Sequence, residues 1–185
     1  MNKTMDVRLN ELIWKMMDYD AGDVKRIQHF IKVHYFASLI GMQENLDSET
    51  LFVLETAAVV HDCGIHVSEQ KYGGSDGKHQ ELEGPAVARI LLEGISGYTP
   101  EQIERVCWLV GHHHTYHDID RIEHQILIEA DFLVNLYEDG LSKETARKTA
   151  QHIFKTESGL RLLQMIYLSD KYGNLCNHTE QESAC

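Results

Sequence analysis

Apolar residues recur along this chain at three- and four-residue spacings, and no segment of any length alternates apolar with polar. A strand needs a period of two and a helix one of 3.6, so the pattern predicts helices packed on helices. Eight segments carry it: 7–19, 24–42, 48–62, 82–93, 100–111, 122–138, 143–154 and 160–168. In the first, Leu9, Leu12, Ile13 and Met16 share one face. "DYDAGD" (18–23) and Asp139-Gly140 are breaks. "TPEQIERV" reads as a helix start, with Thr99 as N-cap, Pro100 at the first position and Gln102 closing a capping box. "QILIEADFLV" is rich in β-branched residues, yet Glu129 and Asp131 interrupt it and its continuation through Asn135 to Glu138 favours helix. The stretch 63–80, with four glycines, two lysines and little periodicity, is expected to be a long loop.

The fold class expected is all-α: a compact bundle of about eight helices without significant sheet. With 185 residues, the chain is long enough for one domain with its own core. The expected organisation is a single domain over 1–185, with a core at 24–138, C-terminal helices at 143–168 and a polar tail at 170–185 that frays.

Charge narrows the function. The formal net charge is −12 and no basic stripe is visible, which argues against a general grip on duplex nucleic acid. A small phosphorylated ligand needs only one local cluster of cations or metal. No run reads as a membrane span and the N-terminus has no secretory apolar region, so no membrane partner is expected. The four cysteines, Cys63, Cys107, Cys176 and Cys185, form no C-x-x-C pair. They read as free thiols of a cytoplasmic protein. Histidine is over-used at 12 residues, and neutral imidazole is the commonest metal ligand.

Three helices carry polar groups where apolar ones are expected. In "RIQHFIKVHYFASLIG", His29 shares its face with Val33, Phe36, Ala37 and Ile40, and His34 lies well round from it. Alone, His29 is better explained as a hydrogen-bonded core histidine than as a ligand. "AAVVHDCGIH" runs apolar into His61-Asp62, with Gly64 as a helix stop. Alone, that doublet fits an aspartate bonded near a helix end beside an adjacent histidine. In "ILIEADFLVNL", Asp131 sits among Leu127, Ile128 and Val134, with no lysine or arginine between Arg121 and Lys143. Alone, it fits a helix aspartate turned to solvent beside Asn135 and Asp139. Together, two imidazoles and two carboxylates from three helices make a donor set for a divalent ion, and bundle cores are where such sites are built.

These frames resemble the HD superfamily of metal-dependent phosphohydrolases: "RIQHFIKVHYFA", "AAVVHDCGI" and "ILIEADFLV", in order, over about 24–138. The resemblance implies a helical core in which His29, His61, Asp62 and Asp131 hold one divalent ion (Mn, Fe, Co, Ni, Mg or Zn). Many members hold a second ion through further histidines. His113, in "VCWLVGHHHTYH", occupies the place of one of these, with His112 and His114 as alternates. The place of the other falls on Gln80, with His79, Glu81 and Glu83 nearby, so His112, His79 and Glu83 are second-ion candidates.

By the same analogy Asp62 is catalytic, binding metal and orienting or deprotonating the attacking water. Lys71 and Lys78, beside the glycines of "YGGSDGK", and His117 are candidates to bind substrate, and His66 is a candidate proton carrier; glycines and lysines in a plain solvated loop explain that stretch at least as well. The reading is a phosphohydrolase, mono- or diesterase, acting on a nucleotide or other small phosphoester, with self-association left open. The rivals are a di-iron oxygenase cleaving a C–C or C–P bond, which needs a full second site, and a non-catalytic ligand-binding sensor.

Overall fold

The computed structural model describes residues 6–169. Among them are nine α-helices and no strand: α1 (Val7–Tyr19), α2 (Val24–Gln43), α3 (Ser48–Val60), α4 (Ile65–Tyr72), α5 (Gly77–Glu93), α6 (Pro100–Val110), α7 (Ile122–Glu138), α8 (Lys143–His152) and α9 (Glu157–Leu163). A π-helical turn, Gln164–Leu168, continues α9. The expected tail, with Cys176 and Cys185, lies outside the described residues.

Most helix starts are written in side chains that take up the free N–H groups of a first turn. Asp6, Asp23, Asp47, Asp76, Thr99, Ser142 and Thr156 each accept from one or two of them. "DYDAGD" therefore ends one helix and caps the next, with Gly22 supplying the left-handed backbone between them (φ 92°). The Thr99–Gln102 capping box closes in both directions.

α3 has no polar face to show: Leu51 to Leu54 and Thr56 to Val60 are all buried. A helix apolar on every side belongs at the centre. α3 packs against α1, α2, α6 and α7, and α2 against α7. Ser48–Tyr72 is long and apolar enough to cross a membrane by length and composition, a property not expected from the sequence. It is interrupted by the turn at 61–64, and most of its apolar window is buried inside the bundle.

The stretch 63–80 is not the long loop expected. It contains α4 and the first turn of α5. Gly73, at φ 72°, ends α4 in the left-handed conformation, and Asp76 caps α5. Gly64 serves a close approach instead. A Cβ there would stand 2.8 Å from the Gln80 carbonyl oxygen and from the Gly84 nitrogen. Backbone thus meets backbone where α4 crosses α5. Gly64→Ala must push the two helices apart and is expected to cost about 1–3 kcal/mol, measured by chemical denaturation.

Near the C-terminus, α7 fastens the α8–α9 connection through a buried carboxylate. Glu129 accepts from Gln125 Nε2 (2.7 Å), from the Lys155 and Thr156 amides (2.7 and 3.0 Å) and from the Thr156 hydroxyl. Burial pushes its pKa up, against the pull of these four donors.

Candidate metal centre

His29 projects from the second turn of α2, Asp131 from the middle of α7, and His61 and Asp62 from the turn that closes α3. Their ends converge. His29 Nε2 lies 3.2 Å from Asp131 Oδ1, 3.4 Å from Asp62 Oδ2 and 3.2 Å from His61 Nε2. His61 Nε2 lies 3.5 Å from Asp62 Oδ2 and 3.7 Å from Asp131 Oδ1. Ligand atoms held about 2.1 Å from one ion stand roughly 3–3.5 Å from each other, so the spacing fits a divalent cation. The side chains of His61 and Asp131 are 0% and 5% exposed, whereas that of Asp62 is 24% exposed and forms the open side.

Hydrogen bonds aim the imidazoles. His61 Nδ1 faces the Ala58 carbonyl at 3.0 Å, and His113 Nδ1 faces the Val110 carbonyl at 2.7 Å. A carbonyl only accepts, so both Nδ1 atoms carry the proton and both Nε2 lone pairs point inward. Each histidine follows the end of its helix, where the last carbonyls lack helical partners, and each takes the one three residues back. His29 Nδ1 bonds Glu138 at 2.9 Å, and Lys32 holds the other Glu138 oxygen at 2.5 Å. Asn135 donates to Asp131 Oδ1 at 2.8 Å. Outer groups of this kind fix the orientation of metal ligands.

The electrostatics are those of a site that wants a positive charge. Burial disfavours a charged His29, yet the Asp131 carboxylate, with Asp62 and Glu138, raises its pKa to about 9. Burial likewise disfavours ionised Asp62 and Asp131, yet the neighbouring histidines hold both below the usual carboxylate range. Without an ion, the His29 proton balances the carboxylates. Below pH 9 a metal must displace that proton. Its apparent affinity is therefore expected to fall about tenfold per pH unit on acidification, measured by metal titration between pH 6 and 9.

The remaining sequence candidates separate. His113 Nε2 lies 3.4 Å from Asp62 Oδ1 and is buried, with no hydrogen-bond partner among the described residues. His114 joins Asp62 and His113 in a second group with metal-ligand spacing. His112 turns away: its ring stacks on Trp108 at 4.1 Å and its Nδ1 bonds the Trp108 carbonyl. His79 stacks on Tyr72 at 4.0 Å and pairs with Asp76. Glu83 takes Lys71 at 2.5 Å and the Tyr72 hydroxyl at 2.7 Å, so Lys71 is tied to a neighbouring helix and not turned to the centre. Lys78 and His117 line a different cleft, of about 720 Å³, with His114 and Tyr116. His66 sits between Asp20 (2.9 Å) and Arg26 (2.8 Å).

A cleft of about 290 Å³ opens on His29 and Asp62 and is flanked by Lys25, Arg26, Asn135 and Glu138. The sequence reading gave none of these four a role at the site. Their signal was helical spacing: Asn135 and Glu138 follow Asp131 by four and seven residues, and Arg26 precedes His29 by three.

A helical bundle whose imidazoles and carboxylates converge from three helices is a candidate metalloprotein with a core-built centre. A model of the HD domain family matches residues 26–145, which contain all four converging side chains, and the chain belongs to that family. The solved structure of a predicted HD superfamily hydrolase from an uncultured Thermotogales bacterium superposes with a TM-score of 0.61 at 21% identity, covering 94% of this chain and 90% of that one. No curated protein matches the sequence.

Proposed function

We propose that this protein is a metal-dependent phosphohydrolase acting on a small phosphoester, with a nucleotide as the favoured class. The observation that carries the reading is the donor set: two imidazole nitrogens and two carboxylates at metal spacing, with Asp62 facing an open cleft that also holds Lys25 and Arg26. A bound divalent ion would supply an activated water and a Lewis acid for a phosphoryl oxygen. His29, His61, Asp62 and Asp131 would hold it, with Glu138 and Asn135 orienting them.

Asp62 is the catalytic group in this reading. Of the two carboxylates it is the one that solvent reaches appreciably, so it is the one placed to orient or deprotonate the attacking water. Lys25 and Arg26 border the same opening and offset phosphate charge. Glu69 (2.6 Å), Asp23 (3.1 Å) and His66 hold the Arg26 guanidinium at the cleft wall, so a phosphate there would compete with two carboxylates for it. Cys63 and Cys107 are free thiols, in keeping with a reducing, cytoplasmic setting.

The test is a panel of phosphomonoesters and phosphodiesters with Mn, Co, Ni and Mg. Ion-dependent turnover of at least one ester, lost in Asp62→Asn, is expected. A metal-loaded protein that turns over no phosphoester would refute the reading.

A further inference from the structure

Asp62 presents its two oxygens in two directions. Oδ2 faces His29 and His61, and Oδ1 faces His113. With His114 added, Asp62 and His113 make a second trio of potential ligand atoms, all within 4.8 Å of one another. By composition alone, two ions would sit side by side and share Asp62.

The hydrogen bonds of His114 argue otherwise. Gln80 Nε2 donates to the Ser75 carbonyl at 2.6 Å, which fixes which end of the amide is which. Gln80 Oε1, an acceptor only, then faces His114 Nε2 at 3.1 Å. That nitrogen must carry the ring proton. His114 Nδ1 is left as the acceptor, and the Tyr116 hydroxyl donates to it at 3.1 Å. Neither nitrogen keeps a free lone pair.

Packing resists a turn of the ring that would release one. A Cβ on Gly77 would stand 2.9 Å from His114 Cγ and Cδ2, so the imidazole lies close against the start of α5. The His114 amide and the Thr115 hydroxyl both donate to Glu81 Oε1 at 3.0 Å, which fastens this segment to the same helix.

We infer that the Gln80–His114–Tyr116 hydrogen-bonded chain makes this a one-ion centre. What remains of the second trio is Asp62 Oδ1 and His113 Nε2, one short of the three protein ligands that open catalytic zinc sites keep. The inference rests on the reading of His29, His61, Asp62 and Asp131 as metal ligands. It favours hydrolysis by a single ion over dioxygen chemistry at a pair of irons.

The test is equilibrium dialysis of the full chain against Mn²⁺, with metal per chain read by elemental analysis. The wild type is expected to retain one ion per chain. His114→Ala and His114→Gln are each expected to retain one, with Kd changed by less than about threefold, against the 10–100-fold that loss of a ligand-supporting partner costs. The glutamine keeps a donor toward Gln80, so it covers the case in which the alanine variant does not fold. Two tightly held ions in the wild type, or a lost ion or tenfold weaker binding in a folded His114 variant, would overturn the inference and leave the metal reading standing. A wild type that retains no ion would overturn both.

Discussion

Asp131→Ala is expected to release the metal ion and abolish turnover while the bundle stays folded. Asp131 Oδ1 stands within 3.7 Å of both His29 Nε2 and His61 Nε2, so its loss removes the carboxylate that the two imidazoles face. The remaining Asp62 is partly solvated and attracts a cation less strongly than a buried group. The loss in affinity should exceed the 10–100-fold typical of an outer partner, the range expected for Glu138→Gln. His61→Ala should behave like Asp131→Ala. His34→Ala is the control: His34 lines a cleft with Ser38 and Glu55 and should leave metal retention intact. Elemental analysis of the dialysed variants, with circular dichroism as the check on folding, reads all of these. If His34→Ala loses the ion and His29→Ala keeps it, the assignment of helix faces is wrong.

Glu129→Ala is expected to be the most damaging change away from the centre. Its carboxylate satisfies two backbone amides, the Thr156 hydroxyl and the Gln125 amide, all where α7 meets the α8–α9 connection. Alanine leaves those donors without partners and opens a void. The expected cost is about 3–5 kcal/mol, from desolvated donors at about 1–3 kcal/mol each that relax in part. Chemical denaturation measures it. A loss below about 1 kcal/mol would mean that water replaces the carboxylate without penalty. Metal affinity at low temperature should be nearly unchanged, which separates this stabilising role from the centre, whose Asp131 lies two residues along α7 on the other side of the helix.

Much of this was legible in the sequence because it is local. Helix 122–138 ends where expected, since Asp139-Gly140 stops it, and the Thr99 box lies within four residues. His29, His61, Asp62 and Asp131 stood out because each is a polar group on or beside an apolar helix face, and the structure brings all four together. What was missed depends on contacts between distant segments. α4 was read as loop because it is only eight residues long and glycines flank it, while the reason for Gly64 is a backbone on another helix. Lys71 looked available for substrate because its partner Glu83 belongs to α5. Among three consecutive histidines, only the geometry of the turn after α6 separates His113, aimed inward by Val110, from His112, stacked on Trp108.

Anomalous scattering from crystals of the protein loaded with Mn²⁺ or Zn²⁺ tests the central claim most directly. The account predicts a strong peak about 2.0–2.3 Å from His29 Nε2, His61 Nε2 and an oxygen of each of Asp62 and Asp131. A metal-saturated crystal with no peak at that point, and solvent bridging Asp131 to the His61-Asp62 pair, would contradict it.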